Sequence, residues 1–278
     1  MHPRTLPACL ALTTLLLAPS AHAIVGGLPT TDFKATGIGL QVTDNWVLTV
    51  QHAAFNVGGS YSNGFGSRTV LARYDAPGSG TFPTNDLTLL RLTSGLGVAP
   101  DLPVSSDLFA DGPFAAQAVT ITSPLNSGPG RGYGFTTVSE FATQIDPDDS
   151  GPLGLVTVNY LISNDTAVHV QSGDSGGGLF LGHVTDSTSP LLGLSSALLT
   201  DASNQPTGSA FVLLAAYRPW IDQTMVSDLA DGQLVHWVSA VPEPGTLALW
   251  ALGLAGWTAL PRRGRKGPGA QGAAHPGR

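Results

Sequence analysis

The stretch QSGDSGGGLF, residues 171–180, places two serines and one aspartate beside four closely spaced glycines. Ser175 is flanked by Gly173 and Gly176, and glycine adopts left-handed backbone conformations that a Cβ atom disfavours. We therefore expect a tight turn that directs the backbone amides of Gly173 and Ser175 toward one point. Two such amides can bind the oxyanion of a tetrahedral intermediate, and removal of one donor of this kind typically costs about 3 to 4 kcal/mol of barrier lowering.

Two stretches nearer the amino terminus supply partners for a serine hydroxyl. WVLTVQHAA at 46–54 contains His52, and NDLTLLRL at 85–92 contains Asp86. A serine hydroxyl is a weak nucleophile unless an imidazole takes its proton and a buried carboxylate holds the tautomer of that imidazole. We predict Ser175 as nucleophile, His52 as general base and Asp86 as the residue that orients His52. A turn aspartate before a strand is common, so a structural role for Asp86 with Asp75 as orienter is the alternative.

The pattern of residues 24–240 is typical of an all-β protein. Short apolar or β-branched runs alternate with turns rich in glycine and proline, which favours an antiparallel sandwich or barrel. The predicted strands lie at 36–43, 46–50, 69–73, 87–92, 118–122, 155–161, 191–194 and 210–215. A connection at 93–112 separates two β halves. One helix is predicted at 217–229. Pro219 falls in its first turn, where proline is tolerated.

The stretch AHAIVGG at 21–27 joins a predicted export signal to this body. Residues 1–23 combine Arg4, an apolar run and the small-x-small ending Ala21-His22-Ala23, which is the layout of a removable signal peptide. Its removal exposes Ile24 as the new amino terminus. The only cysteine, Cys9, leaves with it, so the sequence predicts a mature chain without disulfides or a thiol nucleophile.

The charge of the body excludes some classes of partner. Residues 24–240 contain six Lys and Arg against eighteen Asp and Glu, a formal charge of −12. A surface of this sign repels phosphate groups. We therefore expect neither nucleic acid nor anionic lipid to bind the body.

Taken together, these stretches resemble the trypsin/chymotrypsin-like serine proteases. The resemblance covers most of residues 24–221 and rests on five blocks in the family's order. These are IVGG at 24–27, WVLTVQH at 46–52, NDLTLLRL at 85–92, GDSGGGLF at 173–180 and YRPWI at 217–221. It implies two antiparallel β-barrels, at about 24–100 and 112–216, with the active site in the cleft between them. It also implies a serine endopeptidase that forms an acyl-enzyme on protein or peptide substrates without a cofactor.

The resemblance assigns a role to the IVGG stretch. In the family, the free amine of the residue matching Ile24 pairs with the Asp before the nucleophile, here Asp174, and this pair shapes the oxyanion hole of Gly173 and Ser175. Because nothing remains to be removed after the signal peptide, we hypothesise that signal peptidase creates the Ile24 amine. The enzyme would then have no zymogen.

Three residues bear on specificity. His169 matches the family position at the base of the primary pocket, where cleavage after Lys or Arg requires an Asp. In GLSSAL at 193–198, Ser196 matches a residue that supports the buried Asp, and Leu198 stands where many relatives have glycine. The resemblance implies a narrowed pocket for small or medium side chains and no cleavage after Lys or Arg. Whether His169 is a specificity residue or a structural histidine stays open.

The carboxyl end carries a second motif. Val241-Pro242-Glu243-Pro244, an apolar run at 245–260 and a basic cluster ending at Lys266 resemble the PEP-CTERM sorting tail of Gram-negative bacteria. This implies recognition by an exosortase, transient membrane anchoring and removal during sorting to the envelope or outside. Sixteen helical residues span about 24 Å against about 30 Å of hydrocarbon, so the span is marginal and a buried core helix is the alternative. Residues 267–278 are predicted to be disordered.

Other features leave a few alternatives. Asp146, Asp148 and Asp149 could hold Ca²⁺, yet their spacing matches no complete calcium loop, so a solvated acidic loop is the preferred interpretation. We predict no metal and no cofactor. Two further functions stand beside the protease: a non-catalytic protease-fold binding protein of the envelope or extracellular matrix, and an esterase that uses the same triad.

Overall fold

The computed structural model describes residues 24–78, 80, 82–97, 102–108, 116–124, 131–145, 155–228 and 232–239. The chain divides into two units after Ala240, and the described residues all belong to the first. The predicted signal peptide 1–23, the acidic cluster at 146–149, the sorting tail 241–266 and the tail 267–278 lie outside the described residues.

Strands dominate the described part of the chain. The first nine are β1 (Leu28–Thr30), β2 (Thr36–Gly37), β3 (Gly39–Gln41), β4 (Trp46–Thr49), β5 (Ser60–Asn63), β6 (Gly66–Asp75), β7 (Thr88–Leu92), β8 (Val104–Ser105) and β9 (Gln117–Thr122). The others are β10 (Arg131–Val138), β11 (Glu140–Ile145), β12 (Val156–Ser163), β13 (Gly178–Leu181), β14 (Leu191–Thr200), β15 (Pro206–Leu213) and β16 (Trp237–Val238). The α-helix α1 spans Arg218–Ser227, and 3-10 helices lie at Gln51–Ala53 and Leu214–Tyr217.

The smaller sheet contains β2 to β7 in the order β2-β3-β4-β7-β6-β5. It closes on itself, because the amide of Gly64, just after β5, donates to the carbonyl of Lys34, just before β2, at 2.8 Å. A cluster of buried apolar side chains fills its interior: Val47, Tyr61, Val70, Leu90, Leu92 and Leu96. Closure removes the unpaired edges that an open sheet would expose.

The larger sheet follows the order β1-β10-β9-β13-β14-β15-β12-β11, with β8 and β16 attached beside β14. Strand β10, next to one end, approaches the other end of the sheet, because only Ser139 separates β10 from β11 and the Ser139 amide donates to the carbonyl of Ile162 in β12 at 2.7 Å. Strand β1 pairs with β10 of this sheet. The expected assignment of all of 24–100 to the first barrel is therefore wrong for its first strand, since residues after the amino terminus cross to the second.

One large apolar cluster joins the two sheets. It takes Trp46, Leu48 and Leu89 from the smaller sheet, and Val158 and Val212 from the larger. These side chains are at most 1% exposed, and burial of each such side chain contributes about 1.5 to 3 kcal/mol. The cleft that holds the candidate site therefore lies between two sheets with a shared core.

The all-β class with a C-terminal helix is confirmed. Each of the eight predicted strands overlaps an observed strand, and α1 falls inside the predicted helix. The prediction missed seven strands: β1, β5, β8, β10, β11, β13 and β16. Strand β5 was missed because SYSN has a polar sequence. Tyr61 and Asn63 point into the sheet and Ser60 and Ser62 point outward, so pairing with β6 rather than apolar propensity makes this strand.

Candidate active site

Ser175 lies on a tight turn that leads into β13. Gly173 has a φ of 98° and Gly176 a φ of 82°, which are left-handed conformations that favour glycine. At Gly176 a Cβ atom would also come within 2.8 Å of the backbone nitrogen of Gly39. The predicted turn is present, and Gly176 is required there both by its conformation and by its close backbone neighbour.

His52 and Asp86 come from the smaller sheet and meet Ser175 at the cleft. His52 lies in the 3-10 helix after β4, and Asp86 lies two residues before β7. The Nε2 atom of His52 is 2.8 Å from the Oγ atom of Ser175. Its Nδ1 atom is 2.8 Å from Oδ2 of Asp86, and its backbone amide donates to Oδ1 at 2.9 Å. An imidazole held in this way can accept the hydroxyl proton of the serine.

Asp86 is 1% exposed and accepts a further hydrogen bond. The hydroxyl of Ser196 donates to its Oδ2 atom at 2.5 Å, so a buried negative charge is compensated by three donors. The structure thus places Ser196 where the sequence predicted it. Asp75, the alternative orienter, instead accepts bonds from Arg73 and Thr88 and does not contact His52 among the described contacts.

The amides around Ser175 fall into two groups. Those of Asp174, Gly176 and Gly177 donate to carbonyls of Gln171, Ser195 and Asp174, at 3.0, 2.8 and 3.0 Å. The amides of Gly173 and Ser175 donate to no described group of the protein. They are the pair expected to hold an oxyanion, and they are the amides of this turn that remain available to a ligand.

A pocket of about 250 Å³ opens beside Ser175. Its lining consists of Phe82, Val170, Gln171, Ser172, Ser175, Ser195, Ser196, Ala197 and Leu198. Ser196 and Leu198 are therefore pocket residues as predicted, but His169 is not among them. His169 is 6% exposed, its Nδ1 atom lies 3.0 Å from the carbonyl of Thr166, and its backbone bridges to Val25. His169 therefore contacts its own loop, and its role in specificity stays a prediction.

Asp174 and Ile24 are both completely buried. The carboxylate of Asp174 accepts bonds from the Ser123 hydroxyl at 2.5 Å and the Gln171 amide at 2.8 Å. Burial raises its pKa to about 6, although these two bonds oppose the rise. In this chain, where Ile24 still follows Ala23, the structure describes no ion pair between Ile24 and Asp174. The carboxylate is therefore buried without a described cation beside it.

Sequence reasoning missed three residues of the site. Phe82 lines the pocket and its ring meets that of His52 edge-on, with 4.8 Å between centroids. Ser123 is bonded to Asp174, and Tyr160 is bonded to Ser196. No local pattern marks these residues, since Ser123 sits in a turn-rich stretch and Tyr160 in an ordinary strand.

The part of the chain that the structure describes contains no cluster of three or more side chains arranged to hold a metal ion. The candidate calcium residues at 146–149 lie outside it.

The described residues thus form an all-β protein with a Ser-His-Asp hydrogen-bond series between two sheets. Among solved structures, the chain is similar to neuropsin, a serine protease expressed in the limbic system of mouse brain. The two are 17% identical, with a TM-score of 0.48 over 67% of this chain and 87% of neuropsin. A search of curated proteins finds no match to the chain.

A family model for the PEP-CTERM protein-sorting motif matches residues 240–263. The motif indicates export and attachment to a membrane or envelope through a C-terminal tail, and it implies processing by an exosortase-type enzyme. It begins two residues after the end of β16, which pairs with β8. Across the described residues no helix is long and apolar enough to cross a bilayer, and the apolar run 245–260 lies outside them.

Proposed function

We propose that this chain is an exported serine endopeptidase whose catalytic domain is residues 24–240. The observation that carries the proposal is the hydrogen-bond series in which His52 lies 2.8 Å from both Ser175 and Asp86. Ser175 attacks a peptide carbonyl while His52 takes its proton, and His52 then protonates the leaving amine. Water hydrolyses the resulting acyl-enzyme. Asp86 holds the His52 tautomer, and the amides of Gly173 and Ser175 bind the oxyanion.

The pocket supports a preference for side chains without positive charge. None of the described residues that line it is acidic, so a Lys or Arg side chain would lose its hydration without gaining a counter-charge. Leu198 is 37% exposed and takes up space at the pocket wall. We infer cleavage after small or medium uncharged residues.

Activation follows from the buried carboxylate of Asp174. Once signal peptidase has cut after Ala23, the new amine of Ile24 is the cation that this carboxylate lacks. The geometry favours this pairing, because hydrogen bonds hold the two segments side by side. The amide of Val25, the residue after Ile24, donates to the carbonyl of His169 at 3.1 Å. The amide of Gln171, two residues after His169, donates to the Asp174 carboxylate. A buried pair that loses one partner is destabilised by about 3 to 5 kcal/mol. An active enzyme whose amino terminus, by mass spectrometry, is any residue other than Ile24 would contradict this part of the proposal.

The two ends of the chain give the route of export. Residues 1–23 direct it to signal peptidase, and the sorting motif at 240–263 directs it to an exosortase-type enzyme. The run 245–260 anchors the protein in the membrane of a Gram-negative cell until the tail is removed. The protease then acts in the envelope or outside the cell.

A fluorophosphonate probe tests the central claim, since it reacts only with an activated serine. The processed chain should be labelled, and Ser175→Ala should abolish the label. Ser172→Ala is the matched control, because Ser172 lines the same pocket without a bond to His52, and it should remain labelled. Failure of the correctly processed wild type to react would instead support the non-catalytic binding protein. Comparison of matched peptide and ester substrates separates the endopeptidase from the esterase.

A further inference from the structure

A buried hydrogen-bond chain continues beyond the three residues of the triad. The hydroxyl of Ser196 is 2.5 Å from Oδ2 of Asp86, and the phenol oxygen of Tyr160 is 2.7 Å from the hydroxyl of Ser196. Ser196 is 6% exposed and Tyr160 is 1% exposed. Ser196 lies on β14 and Tyr160 on β12 of the larger sheet, whereas Asp86 belongs to the smaller sheet. The chain of hydroxyls therefore ties the carboxylate to the opposite wall of the cleft.

The direction of each bond follows from the protons available. An ionised carboxylate only accepts hydrogen bonds, and a hydroxyl has one proton to donate. The proton of Ser196 is used on Asp86, so its oxygen must accept from Tyr160. The bonds therefore run from Tyr160 to Ser196 to Asp86. Burial raises the pKa of Tyr160 well above its ordinary value, and the charge of Asp86 adds to the rise while the Ser196 hydrogen bond opposes it, so the phenol keeps its proton at any pH at which a protease works.

Tyr160 has a second contact on the same segment. The same phenol proton also points to the carbonyl of Pro83 at 3.2 Å, as the longer branch of a bifurcated hydrogen bond. Pro83 lies three residues before Asp86 and next to Phe82, whose ring contacts His52. One side chain thus touches both the donor to Asp86 and the backbone that carries Asp86. Deletion of the Tyr160 hydroxyl therefore removes its hydrogen bonds to both the Ser196 hydroxyl and the Pro83 carbonyl.

We propose that Tyr160 is a positioning residue for the triad: it fixes the Ser196 hydroxyl as a donor to Asp86 and thereby sets the orientation and charge distribution of the carboxylate that holds His52. This inference rests on the proposed hydrolytic function. It extends that function to a residue of the larger sheet that contacts neither substrate nor His52. The bonded series then has five members, from Ser175 to Tyr160.

The proton on Nδ1 of His52 provides a measurement that does not need turnover. In Tyr160→Phe, Ser196 loses its donor and binds Asp86 less strongly. More negative charge then remains on the Asp86 oxygen that faces His52. The Nδ1 proton resonance of His52 should therefore move downfield in the NMR spectrum of the chain that begins at Ile24. If Tyr160 acts through Ser196, the same substitution in a Ser196→Ala background should add little further displacement.

Tyr61→Phe is the matched control. Tyr61 is 0% exposed, and its phenol donates to the carbonyls of Ala35 and Gly39 at 3.2 and 3.3 Å, neither of which belongs to the triad. Its loss should lower the melting temperature and leave the His52 resonance in place. A role of Tyr160 limited to packing would give this same result in Tyr160→Phe, and that outcome would overturn the inference.

Kinetics give a second readout. Tyr160→Phe should lower kcat about two- to tenfold, the usual range for one net hydrogen bond, with KM unchanged.

If the variant does not fold, 3-fluorotyrosine at position 160 is the second test. It nearly keeps the volume of the side chain and makes the phenol a stronger donor, so the Nδ1 proton resonance of His52 should move upfield. An unmoved resonance in that protein also overturns the inference. If the proposed hydrolytic function is wrong, Ser175 stays unlabelled in the fluorophosphonate assay. The Nδ1 proton resonance of His52 tests the role of Tyr160 independently of that result.

Discussion

The Nε2 atom of His52 lies 2.8 Å from the Oγ atom of Ser175, although 122 residues separate them in the chain. His52 is carried by the smaller sheet and Ser175 by a turn of the larger. A bond across the cleft is sensitive to any shift between the sheets. The shared apolar core therefore contributes to this geometry as well as to stability.

Asp86→Asn should lower kcat about 10⁴-fold while leaving the fold intact, because an amide nitrogen facing Nδ1 of His52 selects the wrong tautomer. Steady-state kinetics on a peptide substrate give the value, and circular dichroism checks the fold. Asp75→Asn is the control, since Asp75 bonds Arg73 and Thr88; an equal loss of kcat there would contradict the assignment of Asp86.

Asp174 should make the stability of the unactivated chain depend on pH. Burial raises its pKa from 3.8 to about 6, so the folded form binds a proton more tightly than the unfolded form. Its contribution is complete below about pH 4 and is lost as the pH rises through about 6, a fall of about 3 kcal/mol in the free energy of unfolding. Urea unfolding of a chain that begins at Ala23, measured from pH 4 to 7, shows this fall.

Asp174→Asn should remove that fall in the chain that begins at Ala23. In the chain that begins at Ile24, the same substitution should abolish activity and destabilise by about 3 to 5 kcal/mol, because it leaves the amine without its partner. Equal effects of the substitution on the two chains would rule out the ion pair.

Leu198→Gly should widen the range of side chains accepted at the cleavage site. Leu198 lines the pocket, and removal of its side chain opens space without adding charge. Profiling against a peptide library should show a gain for large apolar and aromatic residues and none for Lys or Arg. A gain for Lys or Arg would show that the charge argument for this pocket is wrong.

Gly176→Ala should destabilise the protein more than Gly58→Ala. Both glycines have a φ above 80°, which costs alanine about 1 to 2 kcal/mol. A Cβ at Gly58 meets nothing within 4 Å, whereas at Gly176 it meets the Gly39 nitrogen at 2.8 Å and the Thr49 hydroxyl at 3.0 Å. We expect about 1 to 3 kcal/mol of additional destabilisation from this clash, measured by urea unfolding. Equal costs would mean that the turn around Ser175 can move aside.

Much of the site was predictable because its chemistry requires particular residue types in particular short patterns. The turn around Ser175 needs glycine, and the bonded set needs His52 and Asp86, so these residues could be picked out before any contact was known. The position of the His169 ring could not be predicted from its distance to Ser175 along the chain, because the direction of a side chain in a loop depends on its neighbours, here the carbonyl of Thr166.

The sequence by itself determined the all-β class, nine of the sixteen described strands and the helix, because strand periodicity and turn chemistry are local properties. It also marked Ser175, His52 and Asp86 as the candidate triad. The tertiary structure alone decided that β1 joins the larger sheet, that β5 forms from a polar segment, and that Tyr160 and Ser123 support two buried carboxylates. These features depend on contacts between segments that are distant in the chain. No local pattern records such contacts, because any buried strand position could equally have faced another neighbour.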